Sequence, residues 1–126
     1  MTQEHKELLI KNLCARLPYG VKIELTWWVM GEGTCINTTL EPDHIEHLLN
    51  DEDGDTEIKP YLFPLSSMTE EQKMFLKRQN WCIAVSTSGT VETTIEGIDW
   101  LNKNHFDYRG LIEKGLAIDA TGLNIY

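Results

Sequence analysis

From Val21 to Met30 the chain alternates with a period of two. Val21, Ile23, Leu25, Trp27 and Val29 fall on one side of an extended chain, and Lys22, Glu24, Thr26, Trp28 and Met30 on the other. A helix cannot gather either set on one face, so this run predicts a strand. Gly31-Glu32-Gly33 then supplies turn chemistry, and Thr34 to Leu40 is rich in Thr and Ile. The segment predicts a β-hairpin. Trp28 falls on its more polar side, either packed under a helix or exposed.

The flanking segments read differently. In residues 2–17, Leu9, Ile10, Leu13, Cys14 and Leu17 recur at helical spacing, and Pro18 and Gly20 stop the helix. Ile45, Leu48 and Leu49 are too few to separate a helical turn from a strand. Pro60 and Pro64 predict an extended path over residues 58–68 and argue against a central strand. Ser67 with Glu70, or Thr69 with Gln72, predicts the start of a second helix running to about residue 79. Trp81 to Ser86 is a candidate buried strand. Thr93 with Glu96 predicts a third helix with Ile95, Ile98, Leu101 and Trp100 on its apolar face, ending near Asn104. A further helical turn over residues 109–114 closes on Gly115, and Leu116 to Ile118 forms a short last strand. The order predicts one α+β domain over residues 1–126: a small antiparallel sheet, made of the hairpin plus one or two further strands, packed with about three helices.

Charge is distributed unevenly. Between Lys22 and Lys59 there is no Lys or Arg, and ten of the 20 acids lie there: Glu24, Glu32, Glu41, Asp43, Glu46, Asp51, Glu52, Asp53, Asp55 and Glu57. The remaining ten face all 11 bases, so the net charge of −9 belongs to this one region. Such a field repels nucleic acid, so Trp27 and Trp28 are not base-stacking platforms. All four tryptophans, Trp81 and Trp100 included, are expected in the core. No apolar run is long enough for a membrane helix, and residues 1–9 lack the pattern of a signal peptide, which predicts a cytoplasmic protein. Cys14, Cys35 and Cys82 show no ligand-pair spacing and predict reduced, mostly buried thiols.

Three clusters invite chemistry. The acid block around Gly54 resembles a calcium loop, but placing Gly54 at position 6 puts Leu49 at position 1 and Pro60 at position 12. Placing Asp51 at position 1 puts Leu62 at position 12. Both registers fail, which leaves a solvated acidic turn or a docking surface. Asp43, His44 and His47 form an Asp-His-x-x-His pattern able to contribute to a zinc site. No other His or Cys has matching spacing, so a polar surface face is the simpler reading. His105, Asp107, Tyr108 and Arg109 bring an imidazole and a carboxylate together, without any companion nucleophile motif. Here the sequence favours structure: Lys103 and His105 serving a helix end, and Asp107 pairing with Arg109.

LCARLPYGVK (Leu13–Lys22), KPYLFPLSSMTEEQ (Lys59–Gln72) and IDWLNKNHFDYRGLIEKGLAIDATGLNIY (Ile98–Tyr126) resemble segments of small uncharacterised proteins. These are encoded by phages, prophages and mobile elements of Bacteroides-type gut bacteria. The resemblance implies a mobile-element setting and the cytoplasm of a bacterial host. It carries no activity and transfers no catalytic residue.

The sequence therefore points to a non-enzymatic accessory protein that needs no cofactor. Its expected contact surface is Asp51, Glu52, Asp53, Asp55 and Glu57 with Trp28, facing a basic protein partner rather than nucleic acid or a membrane. The alternatives are a metal-dependent or catalytic protein using the His/Asp clusters, and a structural homo-oligomer.

Overall fold

The hairpin is present and anchors a five-stranded sheet. The computed structural model describes residues 2–50, 56–81, 84–85 and 91–126. Strand β1 (Lys22–Val29) pairs antiparallel with β2 (Glu32–Thr39), in register from Lys22↔Thr39 to Val29↔Glu32. The turn is Met30-Gly31, not the expected Gly31-Glu32-Gly33. Met30 (φ 52°) and Gly31 (φ 82°) are both left-handed, the backbone that matches the twist of a two-residue hairpin loop. Gly33 has another reason to be glycine. It sits opposite Trp28, whose six-membered ring lies where a Cβ at position 33 would stand.

Helix α1 (Gln3–Arg16) is capped by Thr2, whose hydroxyl accepts from the His5 amide at 3.1 Å. Pro18 and the left-handed Gly20 (φ 67°) end the segment as predicted. Helix α2 (Pro42–Asn50) settles the ambiguous patch as helical. Ile45 and Leu48 are buried, while Leu49 is exposed.

Strand β3 (Thr56–Pro64) corrects the proline reading. It is an interior strand, paired antiparallel with β1 from Ile23↔Pro60 to Trp27↔Thr56. Its other edge takes partners only from Tyr61 onward, after Pro60. These are β7 (Ile118–Asp119) at Tyr61 and Leu62, and β6 (Phe106–Asp107) at Phe63 and Pro64, both parallel. Pro60 therefore sits where the second edge needs no amide from it, and Pro64 closes the strand. The sheet order is β2-β1-β3-β6, with β7 also on β3, so the antiparallel trio continues into short parallel additions.

Helix α3 (Glu70–Arg78) begins at the Thr69–Gln72 capping box. A separate ladder joins β4 (Ala84–Val85) to β5 (Val91–Glu92). Helix α4 (Ile95–Lys103) starts one residue later than expected. Thr94, not Thr93, caps it by accepting from the Gly97 amide at 3.1 Å.

One face of the sheet is covered by α1 and α2. Leu9, Leu13, Val21, Ile23, Leu40, Ile45, Leu48, Ile58, Leu62 and Leu111 are buried together there. A second, smaller cluster joins Leu101, Phe106 and Tyr108 to Phe63, Ile98 and Trp100. Removing a buried leucine such as Leu13 from this packing would cost about 2–5 kcal/mol.

Candidate functional site

The distal half of the hairpin extends beyond the helices that cover its base. There Leu25, Trp27, Trp28, Thr56 and Ile58 face Asp43, His44 and His47 of α2 across a cleft of about 420 Å³. Its floor is apolar because Leu25 and Trp27 continue the inward-facing alternation past the buried Ile58, and both stay partly exposed. Ile36, paired with Leu25, is 43% exposed, and Trp28 is 49% exposed. Met30 and Leu49 are exposed as well. An apolar patch left open by a globular chain marks a contact surface.

The sequence-predicted site residues divide. Asp51, Glu52, Asp53 and Asp55 lie outside the described residues, in the segment joining α2 to β3. Glu57 stands on β3 with its carboxylate 3.1 Å from the Lys59 ammonium, a half-exposed pair of small energetic weight. Trp28 lines the cleft.

Asp43, His44 and His47 share the cleft wall but do not form a metal cluster. The Glu41 amide donates to His44 Nδ1 at 3.0 Å, and His47 Nε2 lies 3.0 Å from Thr56 Oγ1. Each imidazole thus already has a protein partner. Among the described residues no three His, Cys, Asp or Glu side chains gather as ligands.

The His105–Arg109 segment is tied into the surrounding backbone. Asp107 is buried and accepts backbone amides from Arg109 (3.2 Å), Leu111 (3.0 Å) and Ile112 (2.9 Å). Its oxygens hold the following turn. It makes no ion pair with the Arg109 guanidinium, which lies 5.2 Å from the Tyr108 ring centroid. The His105 amide, not its ring, serves the helix end by donating to the Asn102 carbonyl at 3.2 Å, and the Asn104 side chain donates to the Trp100 carbonyl at 2.9 Å. The His105 ring stacks on Tyr126 at 3.8 Å and has a buried, unpartnered Nδ1. Burial, and then the nearby Arg16 charge, push His105 from 6.5 down to about 4.

Arg16 and Asn12 are fully buried on α1 and were not anticipated. Arg16 Nε donates to Asn12 Oδ1 at 2.8 Å, another guanidinium nitrogen donates to the Phe106 carbonyl, and Tyr108 lies 5.3 Å away. Burial lowers Arg16 to about 10, against the favourable pull of Tyr108 and Asp107. The signal was present in the sequence: Asn12 and Arg16 follow Leu9 at i+3 and i+7, on the buried stripe.

Other expectations change. Cys14 and Cys35 are exposed, not buried; Cys82 lies outside the described residues. None of the four tryptophans is fully buried: Trp28 is half exposed, and Trp27, Trp81 and Trp100 are partly so. No helix among the described residues is long and apolar enough to cross a membrane. No protein-family model, curated protein or solved structure matches the chain.

Proposed function

We propose that the chain is a non-enzymatic binding protein whose contact surface is the cleft between the hairpin and α2. The occupant is a basic segment of another protein. It places an apolar side chain on Leu25 and Trp27 and a Lys or Arg against Asp43, while the acid-rich sequence of residues 41–57 adds long-range attraction. One observation carries this reading: an open apolar floor inside a stretch that has ten carboxylates and no Lys or Arg. The carboxylates speed association and exclude acidic competitors, while the floor supplies most of the affinity. A mobile-element accessory role in a bacterial host cytoplasm belongs to the same proposal and rests on the sequence resemblance.

Peptide display against the whole chain tests it. Selected peptides should combine a large apolar residue with flanking Lys or Arg, and their binding should weaken with salt. Ile36→Lys, an exposed change at the cleft edge, should reduce binding at least tenfold. Asp51, Asp53 and Asp55 changed together to Asn should slow association. Selected peptides that ignore both variants would refute the cleft as the contact surface.

Self-association is a second reading favoured by one feature. Strand β2 is an eight-residue edge strand (EGTCINTT), exposed over most of its length and without Lys, Arg or Pro to guard it. Sedimentation velocity that shows only monomer across a concentration series would remove this reading.

A further inference from the structure

A second cleft, sharing no lining residue with the first, has aromatic walls. Glu96, Asp99, Trp100 and Lys103 occupy positions i, i+3, i+4 and i+7 of α4, which puts them on one face. Across from them stand Phe75 of α3, Trp81 just beyond it, and Tyr19 from the turn after α1. Together these seven residues line a space of about 350 Å³, within the range of small-ligand sites.

The rings of Phe75, Trp81 and Trp100 pack on one another along one side of this space. Phe75 meets Trp81 nearly edge-on, at 6.0 Å and 75°. It lies at 25° to Trp100 with centroids 6.3 Å apart. Trp100 is backed by Phe106 at 5.6 Å and 12°, which fixes its plane. Phe75 is 40% exposed although it lies among other aromatics. Glu96 and Asp99 are exposed at the rim, and neither forms an ion pair among the described residues. Two carboxylates face one ammonium, Lys103, so the lining carries net negative charge.

A lining of four aromatic rings with surplus carboxylates favours a cation. Phosphate-bearing ligands are repelled by both. An ordinary ammonium gains less, because only the two rim carboxylates, and not the rings, can replace the water it must shed. A methylated ammonium spreads its charge over methyl groups and presents them to the ring faces without that penalty.

We propose that Tyr19, Phe75, Trp81 and Trp100 form a cage for a methylated ammonium group, with Glu96 and Asp99 supplying the counter-charge. The group can arrive on a free small molecule such as choline or on a methylated lysine of another protein. The cage residues act by direct contact and carry no reaction.

Titration of the full chain, followed by NMR of the tryptophan indole N–H signals, tests the cage. The probes are choline, its neutral isostere 3,3-dimethylbutanol, a peptide bearing trimethyl-lysine, and the same peptide unmethylated. Choline or the methylated peptide should shift the Trp81 and Trp100 signals saturably, while the isostere and the unmethylated peptide leave them in place. Whichever of choline and the methylated peptide binds more tightly identifies the source. Trp100→Leu should abolish the response. Because that change also disturbs packing, the exposed pair Glu96→Gln and Asp99→Asn provides a variant that keeps the fold. It should weaken binding by about tenfold. Isostere binding as tight as choline, no saturable shift with either methylated probe, or an unchanged affinity in the Gln/Asn variant would each overturn the cage.

Discussion

Acid should destabilise this protein through His105 before it reaches most of the carboxylates. In the native state the imidazole is held neutral, with its proton affinity pushed from 6.5 down to about 4 by burial and by Arg16. In the unfolded chain it protonates near its ordinary value. A base with a depressed native pKa contributes stability that is complete above about pH 6.5. That contribution is lost as pH falls toward 4 and is constant below it, because the unfolded state takes up the proton first. The full gap corresponds to about 3 kcal/mol. His105 is only partly buried, and solvent screening reduces the usable part to about 1–2 kcal/mol. Urea unfolding of wild type and His105→Phe at pH 7.5, 6.5, 5.5 and 4.5 measures it. Phenylalanine keeps the stack on Tyr126 but has no proton to take up. Its left-handed backbone strain (His105 φ is 64°) adds a constant offset that does not depend on pH. The difference between the two stability curves should therefore change by about 1–2 kcal/mol across this range. Parallel curves would refute the account of His105.

Other outcomes follow from the same geometry. Arg16→Met leaves Asn12 Oδ1 and the Phe106 carbonyl without their buried donor and should cost about 2–4 kcal/mol. Adding Asn12→Leu should recover at least half of that loss in urea unfolding. Gly97→Ala should destabilise α4 despite alanine's better helix propensity, because the new Cβ meets Thr93 Oγ1. In a Thr93→Ala background the same change should stabilise by about 1 kcal/mol. Met30→Asn should raise the thermal midpoint by up to about 1 kcal/mol equivalent. Asparagine tolerates the left-handed turn, and the fully exposed Met30 side chain has no packing to lose.

Where one local rule acted alone, the fold could be read from the residues. The period of Val21–Val29 gave β1, the Thr69–Gln72 box gave the start of α3, and Pro18 with Gly20 gave the end of α1. Misreadings arose where two local signals competed or where tertiary context decided. Three candidate turn residues at 31–33 hid the fact that Met30 adopts the left-handed state and Gly33 makes room for Trp28. Thr93 and Thr94 both offer a cap, and only Thr94 accepts the Gly97 amide. Pro60 lies in an interior strand because its second edge acquires partners one residue later, a fact of register that no local pattern contains.

The sites show the same division. Asp43, His44 and His47 could be grouped from spacing alone, but spacing could not show that each imidazole is already engaged. The apolar floor of the first cleft was visible as alternation, though not the point at which α2 stops covering it. The four-ring cage draws on Tyr19, Phe75, Trp81 and Trp100, which are far apart in the chain. Only the face of α4 carrying Glu96, Asp99, Trp100 and Lys103 had a sequence signature.

Arg16 also bears on the order in which the chain assembles. Its carbonyl partner belongs to Phe106, 90 residues downstream, and the Lys22 amide waits for the Tyr126 hydroxyl, 104 residues away. A newly synthesised α1 carries a guanidinium with no place to be buried until the last quarter of the chain exists. The contacts of the hairpin are local, whereas the polar partner of Arg16 is among the most distant in the chain. A chain interrupted before residue 106 therefore lacks the carbonyl that accepts from the buried Arg16 guanidinium.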